Sequence, residues 1–567
     1  MPIPSHLRPS RLRLASLLAA ALLALPLAAQ NPCAAAHDLR LVNGVIHTMD
    51  AHQRIVHEVT IQEGRFAYVG AAAGHALDPC TRTIDLHGRT VVPGLIDNHN
   101  HIVLFGMRPG HGIRLETAQS IPQAMAILRH RALQEPAGAW VTTLGDWTPH
   151  QFTENRLPTP AEIDHAVGDH PVLIDPAGAP AVANTLAQKF FAAKGIPIGP
   201  NGTIAPGAPL NDALNALRAI QTFASELQSQ QYAMRYVARY GLTTNVDTGA
   251  FPLPGTPDLQ GARSIPGLES LNSWTMYNAL LQLHREHKML VRVRIYFLPT
   301  DTAMNVPMLH TFLINNFPGL GDNMLRLSGI GEFANSWFAN WAAGQHPANY
   351  EAALLQVAKY GWPFQQHSLS LAEDKFATTT FEQVNAVTPI APLRWAVAHV
   401  PYIDLPTLER LKAIGAGVAV HGWKYLTGPG GPIPAGPPYR TVLASGIHTG
   451  AGSDAAAISV FDPWLIIYYM VTGKDAAGQL INPGQTITRQ QALTLYTADN
   501  GWFFHETKDL GTIQTGKFGD LVVLNHDYFD PARVSDAGIK QIHSLLTVVG
   551  GRVVYSEMPG IAATTAQ

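Results

Sequence analysis

The chain has 567 residues, and its 38 Lys plus Arg nearly balance 41 Asp plus Glu to give a net charge of −3. That balance lacks the electrostatic footprint of a nucleic-acid binder, and 46% apolar against 14% charged residues excludes disorder and a solenoid of charged helices. At roughly 150 residues per domain the length suits one large domain with a satellite, and 49 Gly with 42 Pro predict many or long loops.

The chain opens with Arg8, Arg11 and Arg13, an apolar run over 14–25, then Pro26, Ala28 and Ala29. This layout predicts a secretory signal peptide over 1–30, hence an exported protein, periplasmic or extracellular, with no membrane association once the segment is removed. The run is shorter than the roughly 20 residues a spanning helix needs; a retained anchor is the alternative. Cys33 and Cys80 then form one disulfide in an oxidising compartment, or stay as two thiols.

Next come short strand patterns at 38–49 (DLRLVNGVIHTM), 59–69 (VTIQEGRFAYV) and 83–92 (TIDLHGRTVV), with Asn-Gly, Glu-Gly and His-Gly turns. The same texture returns at 519–524 (GDLVVL) and 545–555 (LLTVVGGRVVY). The expectation is a small β module from both chain ends, 31–93 and 506–560, with a tail at 561–567 and everything at 94–505 inserted into it. In the insert, apolar runs at 140–144, 171–174, 242–246, 291–297, 327–332, 362–367, 395–399, 418–421 and 447–450 alternate with helix-like stretches. Such alternation predicts an α/β fold with a parallel (β/α)8 barrel, whose chemistry sits at the C-terminal ends of its strands.

With 25 histidines, position at a strand end has to select the informative ones. The run VVPGLID leads to His99-Asn100-His101, where i and i+2 point to one side of a strand and both imidazoles can grip one ion. GWPFQQ ends in His367, LRWAVA ends one βα unit later in His399, and Asp454 follows a further strand at 447–450. His421 and Lys424 (HGWKY) end the seventh strand and face the mouth, as substrate-binding groups or as loop anchors. His111 and His150 follow strand ends near Gly and Pro, and the structural reading suits them better.

These stretches resemble the amidohydrolase superfamily, and within it the YtcJ-like metal-dependent hydrolases. The resemblance is carried by VVPGLIDNHNHI (91–102), LPTPAEIDHAV (157–167), GWPFQQH (361–367), LRWAVAHVPYID (393–404), GSDAA (452–456) and the segments across 487–524. It implies a distorted TIM barrel beside a β-sandwich made from both ends. It also implies one or two divalent metals, zinc first, held by His99, His101, His367, His399 and Asp454. Related enzymes bridge two metals with a carboxylated Lys, a Glu or a Cys on strand 3 or 4. Here 327–333 (LSGIGEF) holds no Lys, so Glu332 is read as the bridge, with a solvated or loop-anchoring Glu as the alternative and Asp247 (TTNVDTG, after the third strand) as a weaker rival. One ion then belongs to His99, His101 and Asp454 and the other to His367 and His399. At 176–184 (PAGAPAVAN) the chain departs from relatives that present a His.

The expected chemistry is hydrolysis of a small molecule at a C–N bond by metal-activated water, with Asp454 as general base and His399 or a metal polarising the carbonyl. Aryl ester or carbamate cleavage, a degenerate ligand-binding member, and lyase or isomerase chemistry stay open, as does a homo-oligomer. No G-x-G-x-x-G opens a helix after a strand, against a sugar or pterin oxidoreductase on a barrel. The Gly-Pro run at 428–438 is read as a lid or a surface loop, and Trp337, Phe338 and Trp341 as an aromatic pocket wall or core.

Overall fold

In the computed structural model, which describes residues 38–71, 79–110, 112–249, 273–342, 344–427, 436–456 and 458–563, apolar alternation near both chain ends builds two sheets. The expected signal peptide, Cys33, His111 and most of the 428–438 run lie outside the described residues. One sheet has the order Arg65–Gly70, Glu58–Gln62, Leu39–Val42, Arg82–Asp85; the other runs Arg552–Ser556, Ser544–Val549, Leu521–Leu524, Thr90–Pro93, Val45–His47, Ile55–Val56. Leu39, Leu41, Val59, Ile61 and Ile84 of the first share one buried cluster with Val91, Leu521, Val523, Leu546 and Val548 of the second. These are mostly alternate residues, as the pleat requires. Val92, Val522 and Val549 turn the opposite way into the largest core, so the six-stranded sheet is packed on both faces. At the Glu63-Gly64 turn both residues have positive φ, 48° and 76°, the backbone hand that matches the twist of a tight hairpin.

Eight buried strands follow: β1 (Leu95–Asn100), β2 (Leu242–Asp247), β3 (Arg292–Phe297), β4 (Leu325–Ile330), β5 (Gln365–Ser368), β6 (Ala396–His399), β7 (Gly417–His421) and β8 (His448–Gly452). They form two four-stranded parallel sheets, β1 to β4 and β5 to β8, each in sequential order. Parallel neighbours need long crossovers, which here carry helices such as Asn278–Arg285, Pro307–Asn315, Tyr350–Lys359, Leu371–Val387, Leu405–Ala413 and Tyr439–Ser445. A parallel bridge from Ile330 to Phe364 joins β4 to the start of β5. At the other seam Asp454 N donates to His99 O (2.9 Å) and His101 N to Ala455 O (2.5 Å). Asn500 adds a side-chain rung, its Nδ2 donating to Ile96 O (2.6 Å) and Ala451 O (2.8 Å). Among the described residues no helix is long and apolar enough to cross a membrane.

Two of the apolar runs at 94–505 do not join these strands. The runs at 140–144 and 171–174 contribute to a separate sheet in the order Thr203–Ile204, Ala181–Ala183, Val172–Ile174, Val141–Thr142. Val172 and Ile174 face one cluster with Val141, while Leu173 faces another with Ala181 and Ala183. This layer is inserted between β1 and β2, so β2 is the second strand of the eight and the Asp247 at its end is not on a third. Both Asp247 oxygens are spent: Oδ2 accepts from Val103 N (2.8 Å), and Oδ1 from Gly249 N and the Tyr277 hydroxyl (2.8 Å each). Asp247 anchors the loops beyond β1 and β2.

The helix Leu371–Val387 buries Asp374, whose Oδ1 accepts from Ser368 Oγ at 2.7 Å. Burial pushes this carboxyl up to about 7, with Glu373 and Asp404 adding repulsion against the Ser368 hydrogen bond. Because the folded value lies above the ordinary 3.8, Asp374 contributes stability in full below pH 4 and loses it as pH rises through 7. The shift corresponds to roughly 4 kcal/mol. Urea unfolding of wild type and Asp374→Asn at pH 5 and pH 8 tests this: the Asn variant gains relative to wild type at the higher pH. A difference that does not change with pH refutes it.

Candidate metal centre

Five strand ends deliver six side chains to one buried point. His99 belongs to β1 and His101 follows it, Glu332 lies just past β4, His367 is in β5, His399 closes β6, and Asp454 lies two residues past β8; none is more than 6% exposed. Their ligand atoms form three groups, each with all atoms within 4.8 Å of one another: His99, His101 and Glu332; Glu332, His367 and His399; His99, His399 and Asp454. Glu332 is common to the first two. Its Oε2 is 2.7 Å from His367 Nδ1 and 3.0 Å from His399 Nε2, and its Oε1 is 3.6 Å from His101 Nε2. The carboxylate therefore stands between the β1 pair and the β5/β6 pair. Asp454 Oδ1 is 3.3 Å from His101 Nε2, and Oδ2 is 3.3 Å from His399 Nδ1.

The protonation pattern suits a cation. Gln365 donates its amide N–H to Asn98 O (3.0 Å), which turns its Oε1 toward His99 Nδ1 at 2.9 Å. Nδ1 must then carry the proton, and Nε2 is left as a lone pair that makes no hydrogen bond although fully buried. His101 Nδ1 likewise donates to Gly249 O at 2.6 Å, and its Nε2 faces Asp454 Oδ1 at 3.3 Å. Burial penalises charge on Glu332, but the His367 charge and hydrogen bonds from His367 and His399 outweigh it and hold the carboxyl well below its usual range. Asp454 is also held low, burial being overcome by His399, His101 and His99. His101 is held up at about 9, because its bond to Asp454 and the charges of Glu332 and Asp454 overcome burial. Burial brings His399 down to about 4 and His421 well below its ordinary value. Two ionised carboxylates and four converging imidazoles, with His99 Nε2 buried and unspent, form a donor set that fits one or two divalent ions.

His421, at the end of β7, places Nδ1 2.7 Å from His399 Nδ1 and leaves Nε2 without a partner. Lys424 lies three residues on, at the start of the turn Lys424–Thr427. The other sequence candidates fall elsewhere. His150 Nδ1 pairs with Asn155 Oδ1 at 2.8 Å in a loop of the inserted layer. Trp337 packs among Tyr350, Trp341 and Phe376, which is core rather than pocket wall; the Phe338 side chain lies outside the described residues. Sequence reasoning missed the groups that aim the ligands. Gln365 sits two residues before His367 and so on the same side of β5, a readable signal. Asp97, which accepts from His99 N (3.1 Å), Ser453 N (3.0 Å) and Ser453 Oγ (2.5 Å), carried a weaker one.

The loop that carries Asp454 is held from the inserted layer. Arg114, fully buried, donates to Ala456 O (3.1 Å) and Ser459 O (3.2 Å), and its Nε is 2.9 Å from Asp146 Oδ2. Glu116 accepts from Phe461 N (2.8 Å) and Asp462 N (3.0 Å).

The model of the amidohydrolase family matches residues 82–555. The chain belongs to that family. The amidohydrolase is 22% identical over 553 residues to the N-substituted formamide deformylase of Arthrobacter pascens, covering 91% of this chain and 98% of that protein. It is 32% identical over 124 residues to the putative amidohydrolase YtcJ of Bacillus subtilis, 21% of this chain and 22% of that one. It is 29% identical over 246 residues to the Arabidopsis thaliana protein LONG AFTER FAR-RED 3, 40% of this chain and 41% of that one. Among solved structures, an uncharacterized metal-dependent hydrolase from Pyrococcus furiosus shares the fold, with a TM-score of 0.58 at 18% identity over 87% of this chain and all of that one. Strand-end ligands and family together make this chain a metal-dependent amidohydrolase.

Proposed function

We propose that this amidohydrolase cleaves the C–N bond of a small amide, with Asp454 as the proton carrier, on eight strands closed into a distorted (β/α)8 barrel beside a β-sandwich. The observation that carries the reading is the position of Asp454, 3.3 Å from His101 Nε2 and 3.3 Å from His399 Nδ1 on its two oxygens. His99, His101, His367, His399 and Asp454 would hold one or two ions, zinc by the His-rich donor set, with Glu332 between them. When bound, divalent metal supplies Lewis acidity and makes water a competent nucleophile near neutral pH.

Asp454 takes the proton as water attacks the carbonyl carbon, and returns it to the nitrogen as the C–N bond breaks. His421 Nε2, buried and unspent, and the ammonium of Lys424 are assigned to the substrate side. His399 lies between the two carboxylates, its Nε2 3.0 Å from Glu332 Oε2 and its Nδ1 3.3 Å from Asp454 Oδ2. The formamide deformylase relative supports N-substituted formamides as one substrate class; aryl esters and carbamates undergo the same attack. Export is proposed from the segment at 1–30, and retention of residues 1–25 in the intact mass of protein from its host would refute it. The activity is tested by metal analysis of purified protein followed by assay on N-substituted formamides, N-acyl amino acids and aryl esters. A fully metal-loaded protein that turns over none of them overturns the reading.

A further inference from the structure

The buried arginines among the described residues come with counter-charges. Arg292 is bound by Asp520, Arg294 by Glu506, Arg108 by Asp175, and Arg114 by Glu116 and Asp146. Each is at most 3% exposed, and each carboxylate offsets the cost of taking a cation out of water. Lys424 breaks the pattern. It is 1% exposed, its Nζ makes no hydrogen bond, and among the described residues no carboxylate pairs with it. The Trp423 ring, with its centroid 5.1 Å from Nζ, is the one cation–π neighbour. Burial lowers the ammonium to about 8, so it is still mainly charged at pH 7.

A lone buried ammonium is costly unless something supplies its partner. Among the described residues its Nζ caps no helix, bridges no loops and joins no hydrogen-bond network. Its place in the chain is at the mouth, three residues past His421, whose imidazole contacts the His399 ligand at 2.7 Å. His421 Nε2 and Trp423 Nε1 beside it are equally without partners, so one short stretch presents three unspent polar atoms. A single ammonium with no second cation matches one negative charge, a carboxylate, rather than a phosphate dianion.

We infer that Lys424 receives a substrate carboxylate, so that the amides this enzyme cleaves are anionic, of the N-acyl or N-formyl amino acid class. The inference rests on the amide-hydrolase reading above and adds its charge specificity. The ion pair forms as the substrate enters and fixes its distance from the metal centre. Neutral amides forgo it.

The test compares two probes that differ in charge alone, N-formylphenylalanine and its carboxamide, on metal-loaded wild type, Lys424→Met and Lys424→Arg. Wild type is expected to favour the acid by about 100-fold in kcat/KM, a margin in the range for losing a desolvated charge pair. Lys424→Met is expected to cost the acid far more than the carboxamide, through KM and with metal content kept, and Lys424→Arg is expected to restore part of the preference. Equal loss on both probes, or no acid preference in wild type, overturns the inference. Should Lys424→Met fail to fold, Lys424→Gln takes its place under the same criteria. If wild type turns over neither probe nor any other amide, the hydrolase reading fails separately. Calorimetric titration of N-formylphenylalanine then decides the charge question alone: binding at least about tenfold tighter to wild type than to Lys424→Met supports it, and equal or absent binding overturns it.

Discussion

Asp454→Asn is expected to keep its metal and lose turnover by about 100- to 10,000-fold, the range for removing a general acid–base group. The Asn oxygen still sits beside His101 and His399, where Asp454 now lies 3.3 Å from each, so the site keeps a neutral donor while losing the proton carrier. His99→Ala and His101→Ala behave differently. Each removes an imidazole whose Nδ1 is held by Gln365 or by Gly249 and whose Nε2 points into the cluster, and metal and activity fall together. Elemental analysis beside steady-state rates separates the two outcomes. Full activity in Asp454→Asn at neutral pH refutes the assigned role.

The second large effect concerns Glu332. Its carboxylate joins two of the three ligand groups, so Glu332→Ala takes a donor from both at once. It also leaves His367 Nδ1 and His399 Nε2 facing each other at 2.8 Å with no anion between them. A protein that binds two equivalents of metal is expected to fall to one or fewer, with activity reduced at least about 100-fold. Equal metal content and equal rate in wild type and variant would rule out the bridge.

Much of this centre is legible in sequence because each ligand ends a short apolar run, and parallel strands stop where their chemistry begins. His367, His399 and His421 each follow such a run, and Glu332 follows LSGIG in the same way. The inserted layer was not legible for the same reason turned around. The runs at 140–144 and 171–174 have the texture of the other strands, and apolar pattern is local while pairing is not. Nothing within Val172–Ile174 says that its neighbours are Val141–Thr142 and Ala181–Ala183. The carbonyl of Gly249 that sets the His101 tautomer has no side chain to announce it, and Arg114 touches backbone more than three hundred residues away. Contacts to backbone carry no residue signature at the receiving end.

The Arg114 clamp also bears on how the molecule is assembled. Its bonds to Ala456 and Ser459 close loops of 342 and 345 residues, and those of Glu116 to Phe461 and Asp462 close 345 and 346. Contacts across such separations form late, because the chain must surrender the entropy of the whole intervening loop before either end is rewarded. During synthesis the inserted layer emerges early, and Arg114 and Glu116 have only their nearby partners such as Asp146 until the segment beyond β8 arrives. Asp454, the proposed proton carrier, is thus seated by one of the last closures of the chain, and partly folded forms that already hold His99 and His101 still lack it.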